Sequence, residues 1–428
     1  MKAIIKKSQI SGTIEAPPSK SLNHRTLIAA SLSQGISALR NLSDCGDVLI
    51  TATGLKELGA DIQIKGKTAL VSKSNLFKGD NRQRRINCAD SGTSARFLTA
   101  VAAVTGKKVI IDGSRRLRER PMAELIRLLR LCGAKILEKS IKGHLPLEIR
   151  PGILSGGNFN ISISDSSQFL SALLMISPYM NNQTTFNISG SQSRPYADLT
   201  TDVMRKFGLI INSSKNRVSV PGNQNLQAQN LVLAGDYSSA SYFFAGALIG
   251  SSSISISNLE IDSRQADRKM LEIASRMGAS VRQKSANSLE VSAGKERLKG
   301  ISLKMGDCPD LVPTVAILAG KSTGPIEIRD IAHLKHKESD RIMSLSHNLK
   351  LMGLRVKISP DSLTVFPGPL QGTELDSFND HRICMAFSIA ALAASGETLI
   401  SGAESVNKSY PAFFSDLKKV GAKVRLIS

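Results

Sequence analysis

The chain has 428 residues, 41% of them apolar and only 4% aromatic with no tryptophan, and it carries 56 Lys and Arg against 35 Asp and Glu for a net charge of +21. That composition allows two or three domains with large aliphatic cores, and it excludes a membrane-spanning helix because no apolar run approaches 18 residues. The first ten residues lack a long apolar segment or cleavage site, and the five cysteines (45, 88, 132, 308 and 384) are scattered without CxxC spacing. A cytoplasmic, reduced protein with no metal site is therefore expected. The charge points to small anionic substrates rather than nucleic acid, since stacking aromatics are few and basic residues recur at loop–helix junctions.

Taken in chain order, one pattern returns six times: a helical segment ends in Gly and runs into a short apolar strand. The copies are LKELGADIQI, LLRLCGAKIL, VMRKFGLIIN, IASRMGASVR, NLKLMGLRVK and DLKKVGAKVR, with glycines at 59, 133, 208, 278, 353 and 421. A left-handed glycine just past a helix explains each. A second, small-residue-rich helix recurs in each unit: SKSLNHRTLIAASL, SGTSARFLTAVAAV, SSQFLSALLMI, SSASYFFAGALIG, LVPTVAILAG and DHRICMAFSIAALAA. Apolar nearly all round, these helices predict burial, and each is followed by a strand. The segment Ser213–Gln229 reads as a hairpin and loop. Six units of two helices and several strands suggest two domains of three, each with three buried helices inside and sheets outside. A solenoid is the alternative for any repeat array, although these units exceed the usual solenoid repeat.

The buried helices open with hydroxyls, Gly and Arg: Ser19-Lys20-Ser21 with Arg25, Ser91-Gly92-Thr93 with Arg96, Ser166-Ser167-Gln168, and Asp380-His381-Arg382. Each alone is explained by N-capping; four together, with spare donors on positive helix ends, point to anion binding. Between strand and amphipathic helix, Asp112–Pro121 packs four Arg around a turn, and Ser193-Arg194-Pro195-Tyr196 takes the same place one unit later. In His336-Lys337-Glu338-Ser339-Asp340-Arg341, Lys337 and Arg341 are expected on one helical face, with a surface ion-pair ladder as the alternative. Asn407-Lys408-Ser409 closes the series, and Asp310 stands before the fifth buried helix, where a plain N-cap is the alternative. The six histidines form no HxH, HExxH or triad order, and no phosphate-binding P-loop is present.

These motifs, P-S-K-S-x-x-x-R at Pro18–Arg25, S-G-T-S-A-R at Ser91–Arg96, R-E-R-P-M at Arg118–Met122, S-S-Q-F-L at Ser166–Leu170, K-E-S-D-R at Lys337–Arg341 and N-D-H-R at Asn379–Arg382, occur in an order that resembles the 5-enolpyruvylshikimate-3-phosphate synthase family over almost the whole chain. The resemblance implies an α/β fold, a two-domain inside-out barrel with three repeats per domain around buried parallel helices. It places residues 1–18 with 236–428 in one domain and 19–235 in the other, with the active site in the cleft between. It implies transfer of the enolpyruvyl group of phosphoenolpyruvate to the 5-hydroxyl of shikimate 3-phosphate. Shikimate 3-phosphate would be bound by Lys20, Ser21, Arg25, Ser166, Ser167, Gln168, Ser193, Asp310 and Lys337. Phosphoenolpyruvate would be bound by Lys20, Gly92, Arg120, Gln168, Arg341, Arg382 and Lys408. Lys20, Asp310 as base and Glu338 as acid would be catalytic. No cofactor, no metal and a monomeric state are expected. The chain departs from the family at Asp90, Ala89, Phe97 and His333, where Asn, Gly, Pro and Asn are usual. Two rivals are the sister transferase acting on UDP-N-acetylglucosamine, which usually has a Cys in the loop matching Ser114–Pro121 where this chain has none, and a basic nucleic-acid-binding repeat protein.

Overall fold

A computed structural model describes residues 1–80 and 82–427. Contacts within the chain divide it into two compact units, Met1–Pro17 with Ala234–Ser428, and Pro18–Leu233. Each unit has its own hydrophobic core.

The second repeat displays the building plan. Strand Gln83–Asn87 leads into the buried helix Gly92–Val104, which returns as strand Lys108–Asp112 parallel to the first, in register from Gln83 opposite Lys108 to Asn87 opposite Asp112. A crossover helix is what a parallel pair requires. The amphipathic helix Ala123–Leu131 follows, then the antiparallel strands Lys135–Glu138 and Leu147–Arg150. The spatial order is first, second, fourth, third, and it recurs in all six four-stranded sheets.

Both three-repeat units are completed by strands from outside the repeat that they join. In the unit Pro18–Leu233, Asn230–Val232 from the end of the third repeat pairs parallel with Ile36–Arg40 and supplies the missing first strand of the first sheet. In the other unit the N-terminal segment serves twice. Lys2–Lys6 lies between Glu397–Ser401 and Lys423–Ile427 in the sixth sheet, and Gly12–Glu15 opens the fourth.

Local chemistry explains the elements. In the helix Tyr237–Ile249 all thirteen residues are buried, as its small and apolar composition demands. Ala123–Leu131 instead buries one face, Leu125, Ile126, Leu128 and Leu129, each contributing roughly 1.5–3 kcal/mol. All six repeat glycines have φ between +86° and +106°. At Gly133 a side chain would also strike the Ile153 carbonyl oxygen at 2.5 Å, so both backbone and space demand glycine.

Two expectations are corrected. The fifth buried helix is not a continuous α-helix: 3₁₀ turns Pro309–Leu311 and Ile317–Lys321 flank a short α-helix Val312–Ala316. Pro309 and Pro313 have no N–H to donate, and Gly320 packs so tightly on Leu370 that an added Cβ would lie 2.5 Å from its Cδ1. Lys337 and Arg341 do not share a helical face. The helix begins at Arg341, because the Asp340 side chain accepts the Met343 amide at 3.2 Å, and Lys337 follows a 3₁₀ turn with extended backbone.

Candidate active site

In the unit Pro18–Leu233 the predicted residues gather at the N-terminal ends of the three buried helices Lys20–Leu32, Gly92–Val104 and Gln168–Ile176. The Lys20 ammonium donates to Asp47 at 3.1 Å, and the Ser94 hydroxyl donates to the Asp47 carbonyl at 3.2 Å, which ties the first helix to the second. Gln168 ties the second to the third. Its amide N–H donates to Thr93 at 2.9 Å and its oxygen accepts from Arg96 at 2.6 Å. The Ser166 hydroxyl accepts the Gln168 amide at 3.2 Å. Gly92 exists for Arg120: a Cβ there would sit 2.7 Å from the guanidinium carbon, so only glycine lets the charged plane lie on the helix end.

Arg25 is 2% exposed. Its guanidinium donates to Thr200, the Ser21 carbonyl, the Tyr196 carbonyl and Ser171 at 2.8 to 3.4 Å. These are neutral partners, and burial lowers its pKa to about 10, still charged at neutral pH. Ser193, at the start of helix Arg194–Lys206, has left-handed backbone with φ +56°. Ser21 and Ser167 lie on the same helix ends, Ser21 partly accessible and Ser167 buried. Ala89 also adopts left-handed backbone, at φ +44°, where the resembled family usually has glycine. The Asp90 carboxylate accepts from the Ser114 hydroxyl, so this departure from the family motif is bound into the neighbouring loop.

In the other unit a continuous ionic network joins the predicted residues. Arg341, 1% exposed, donates to Asp310 at 2.7 Å, Glu338 at 2.9 Å and Asp380 at 2.8 Å. Arg382 donates to the second Asp310 oxygen at 2.8 Å, and Lys408 reaches Glu338 at 3.3 Å. Burial by itself would lower the Arg341 pKa; Asp380, Glu338 and Asp310 outweigh it and hold the group above its ordinary value. Arg382 is likewise raised, Asp310 foremost among the carboxylates that overcome its burial. A fourth carboxyl, Asp267, is fully buried, hydrogen-bonded to Ser238, and raised to about 7 by burial and then by the Asp310 charge. Lys337 precedes Glu338 and is half-buried. His333 is driven down to about 3, mainly by burial and then by Lys337 and Arg341, so it is neutral.

Four members of these clusters escaped the sequence reading. Asp380 was legible only as a helix cap, which it also is, accepting the Arg382 amide at 2.9 Å. Arg96 was expected only among the anion-binding donors of its helix end, and its bond to Gln168 had no sequence signal. Asp47, in the first turn of an amphipathic helix, and Asp267, in a 3₁₀ turn, had no sequence signal to separate them from surface carboxylates. Chemically, the first cluster offers convergent donors at positive helix ends, suited to oxyanions. The second offers two carboxylates, Asp310 and Glu338, held by one guanidinium, suited to moving protons beside anions. Among the described residues no group of three His, Cys, Asp or Glu side chains is arranged to hold a metal ion, and no helix is long and apolar enough to cross a membrane.

The architecture defines the protein class first. The fold is similar to the EPSP synthase of Acinetobacter baumannii (TM-score 0.83, 25% identity, 99% of this chain and 100% of that one). In fold alone it also resembles the enolpyruvyl transferase NikO of Streptomyces tendae (TM-score 0.80, 18% identity, 99% and 98% of the two chains). The chain belongs to the EPSP synthase (3-phosphoshikimate 1-carboxyvinyltransferase) family, whose sequence profile matches residues 4–417. It is 37% identical to the 3-phosphoshikimate 1-carboxyvinyltransferase of Methanosarcina mazei, covering 100% of this chain and 99% of that protein. It is 36% identical to that of Methanocaldococcus jannaschii, covering 99% of each.

Proposed function

We propose that this chain transfers the enolpyruvyl group of phosphoenolpyruvate to the 5-hydroxyl of shikimate 3-phosphate, releasing phosphate. Full-length similarity to proteins of that name supports the reaction. The observation that carries the site assignment is Arg341 gripping both Asp310 and Glu338.

The reaction needs a proton delivered to the methylene carbon, a proton removed from the attacking hydroxyl, and charge compensation for a leaving phosphate. Asp310 is assigned to the hydroxyl proton and Glu338 to the methylene carbon. Glu338 lies between Arg341 at 2.9 Å and Lys408 at 3.3 Å, two cations that would also meet an anionic substrate. After addition, the same carboxylate removes a proton from the new methyl group as phosphate departs.

Lys20, Gly92, Arg120, Gln168, Arg341, Arg382 and Lys408 are assigned to phosphoenolpyruvate. Lys20, Ser21, Arg25, Ser166, Ser167, Gln168, Ser193 and Lys337 are assigned to shikimate 3-phosphate, with Asp310 at its hydroxyl. Charge-assisted hydrogen bonds of this kind contribute roughly 1.5–3 kcal/mol each, which makes several cations per substrate sufficient to orient it without a metal.

The test is phosphate release from purified protein given both substrates. Turnover is expected for the unaltered chain, and Glu338→Gln and Asp310→Asn are each expected to lower kcat by about 10²–10⁴-fold while circular dichroism shows the fold retained at the assay temperature, with some stability lost because each variant takes a carboxylate from the buried Arg341. Undiminished kcat in either variant would remove the acid–base assignment, and no phosphate release by the unaltered chain would remove the reaction.

A further inference from the structure

In the unit formed by Met1–Pro17 and Ala234–Ser428, the ends of the three buried helices, at Leu248, Lys321 and Ala393, surround a cavity of about 820 Å³. It falls in the roughly 300–1,000 Å³ range of small-molecule sites. Its walls include the apolar side chains Leu298 and Leu370, both buried. Lys7, Arg297 and Lys321 also line it, with Glu296 the one carboxylate of the lining. The Arg297 guanidinium is anchored to this wall by donating to the Ser322 carbonyl at 3.2 Å. None of these residues belongs to the clusters assigned to the reaction.

The other unit has the same repeat plan and shows what can occupy this position. The Asn181 amide donates to the Leu154 carbonyl at 3.3 Å, and the Thr323 amide donates to the Leu298 carbonyl at 2.8 Å. Counting back two residues from each donor, Tyr179 of the third repeat corresponds to Lys321 of the fifth. The Tyr179 ring stacks on Phe77 with centroids 5.0 Å apart, and its hydroxyl donates to the Leu32 carbonyl at the end of the first buried helix. A six-membered ring with a polar tip thus joins elements of that unit where its counterpart has a lysine at the edge of a hollow.

We propose that this cavity binds a small organic acid built on a six-membered ring. The ring takes the place that Tyr179 takes in the other unit, against Leu298 and Leu370, and the acid group meets Lys7, Arg297 and Lys321. Three cations against one carboxylate favour an anion, and the apolar walls favour a carbon ring over a bare ion. The ring acid is either aromatic or an alicyclic acid of the substrate's own kind, and the test separates them.

Binding to the full chain is measured by calorimetry with 4-hydroxyphenylacetate, with shikimate and with inorganic phosphate. At least one ring acid is expected to saturate with Kd below about 1 mM. That affinity is expected to fall about tenfold in Arg297→Ala and to vanish in Lys321→Tyr, which fills the hollow as Tyr179 does, while turnover without the acid stays unchanged. Tight binding of 4-hydroxyphenylacetate alone identifies the aromatic source, and of shikimate alone the alicyclic one. Should Lys321→Tyr fail to fold, Lys7→Ala with Arg297→Ala decides in its place. The proposal is overturned if neither ring acid binds saturably, if binding is unaltered in the variants, or if phosphate alone binds as tightly as the acids. Because the readout is binding rather than turnover, failure here leaves the reaction assignment untouched.

Discussion

The two buried guanidiniums Arg341 and Arg25 are held on opposite principles. In the cluster around Arg341, Arg341, Arg382 and Lys408 each contact at least one of the carboxylates Asp310, Glu338 and Asp380. Around Arg25, the guanidinium is satisfied by hydroxyls and carbonyl oxygens that are neutral. A guanidinium held by carboxylates has its charge offset within the protein. One held by neutral dipoles keeps its full charge for an arriving anion. The difference teaches that the number of arginines near a site says little until their partners are known.

The sharpest way to break this comparison is Asp380→Ala. Asp380 is wholly buried and bonds Arg341, so its loss leaves a buried charge with a missing partner and removes a helix cap. A destabilisation of about 3–5 kcal/mol is expected from urea denaturation. A loss below about 1 kcal/mol would mean that Asp310 and Glu338 alone neutralise Arg341.

Next in size is a pH effect. Burial first, and then the Asp310 charge, raise the Asp267 carboxyl to about 7, whereas a carboxyl freed by unfolding has a pKa near 3.8. The folded state therefore holds more protons than the unfolded state between those values, and this group's contribution to stability is greatest below them and falls as pH rises. About 2 kcal/mol is expected to be lost between pH 5 and 7 on this account. Asp267→Asn should flatten that part of the urea-midpoint profile; an unchanged profile would show that Asp267 is ionised throughout.

Smaller effects are expected in the other cluster. Gly92→Ala would push a methyl into Arg120 and should raise the KM for phosphoenolpyruvate about tenfold, or about 1.4 kcal/mol, with the KM for shikimate 3-phosphate little changed. Equal effects on both would show that Arg120 does not discriminate between them. Thr200→Val removes one neutral partner of Arg25 and should cost about 1 kcal/mol of stability. A cost as large as that of Asp380→Ala would erase the distinction between the clusters.

Much of the fold was legible in the chain. The six glycines past amphipathic helices all adopt left-handed backbone, because a helix stop followed by a strand is local chemistry. The buried helices were legible from their lack of a polar face. The fifth misled because its apolar pattern was intact while Pro309 and Pro313 broke the hydrogen bonding. The helix from Lys337 misled because Asp340 competes as a cap and delays the start to Arg341. Among the candidate residues, Lys20, Arg120 and Arg382 were legible from their motifs, but which side chains Lys20 and Arg382 contact was not.

The sequence by itself determined the repeat, its six glycine stops, the helices to be buried and the family, since all of these rest on neighbours within one repeat or on contiguous motifs. Only the tertiary structure decided that Lys2–Lys6 completes the sheet at the far end of the chain and Gly12–Glu15 the sheet that contains Ser253–Ser257, that Asp47 reaches Lys20, and that Asp380 and Asp310 converge on Arg341. Contacts between residues 27 or more apart in the chain depend on how strands pair and helices pack, and no local pattern of side chains encodes them.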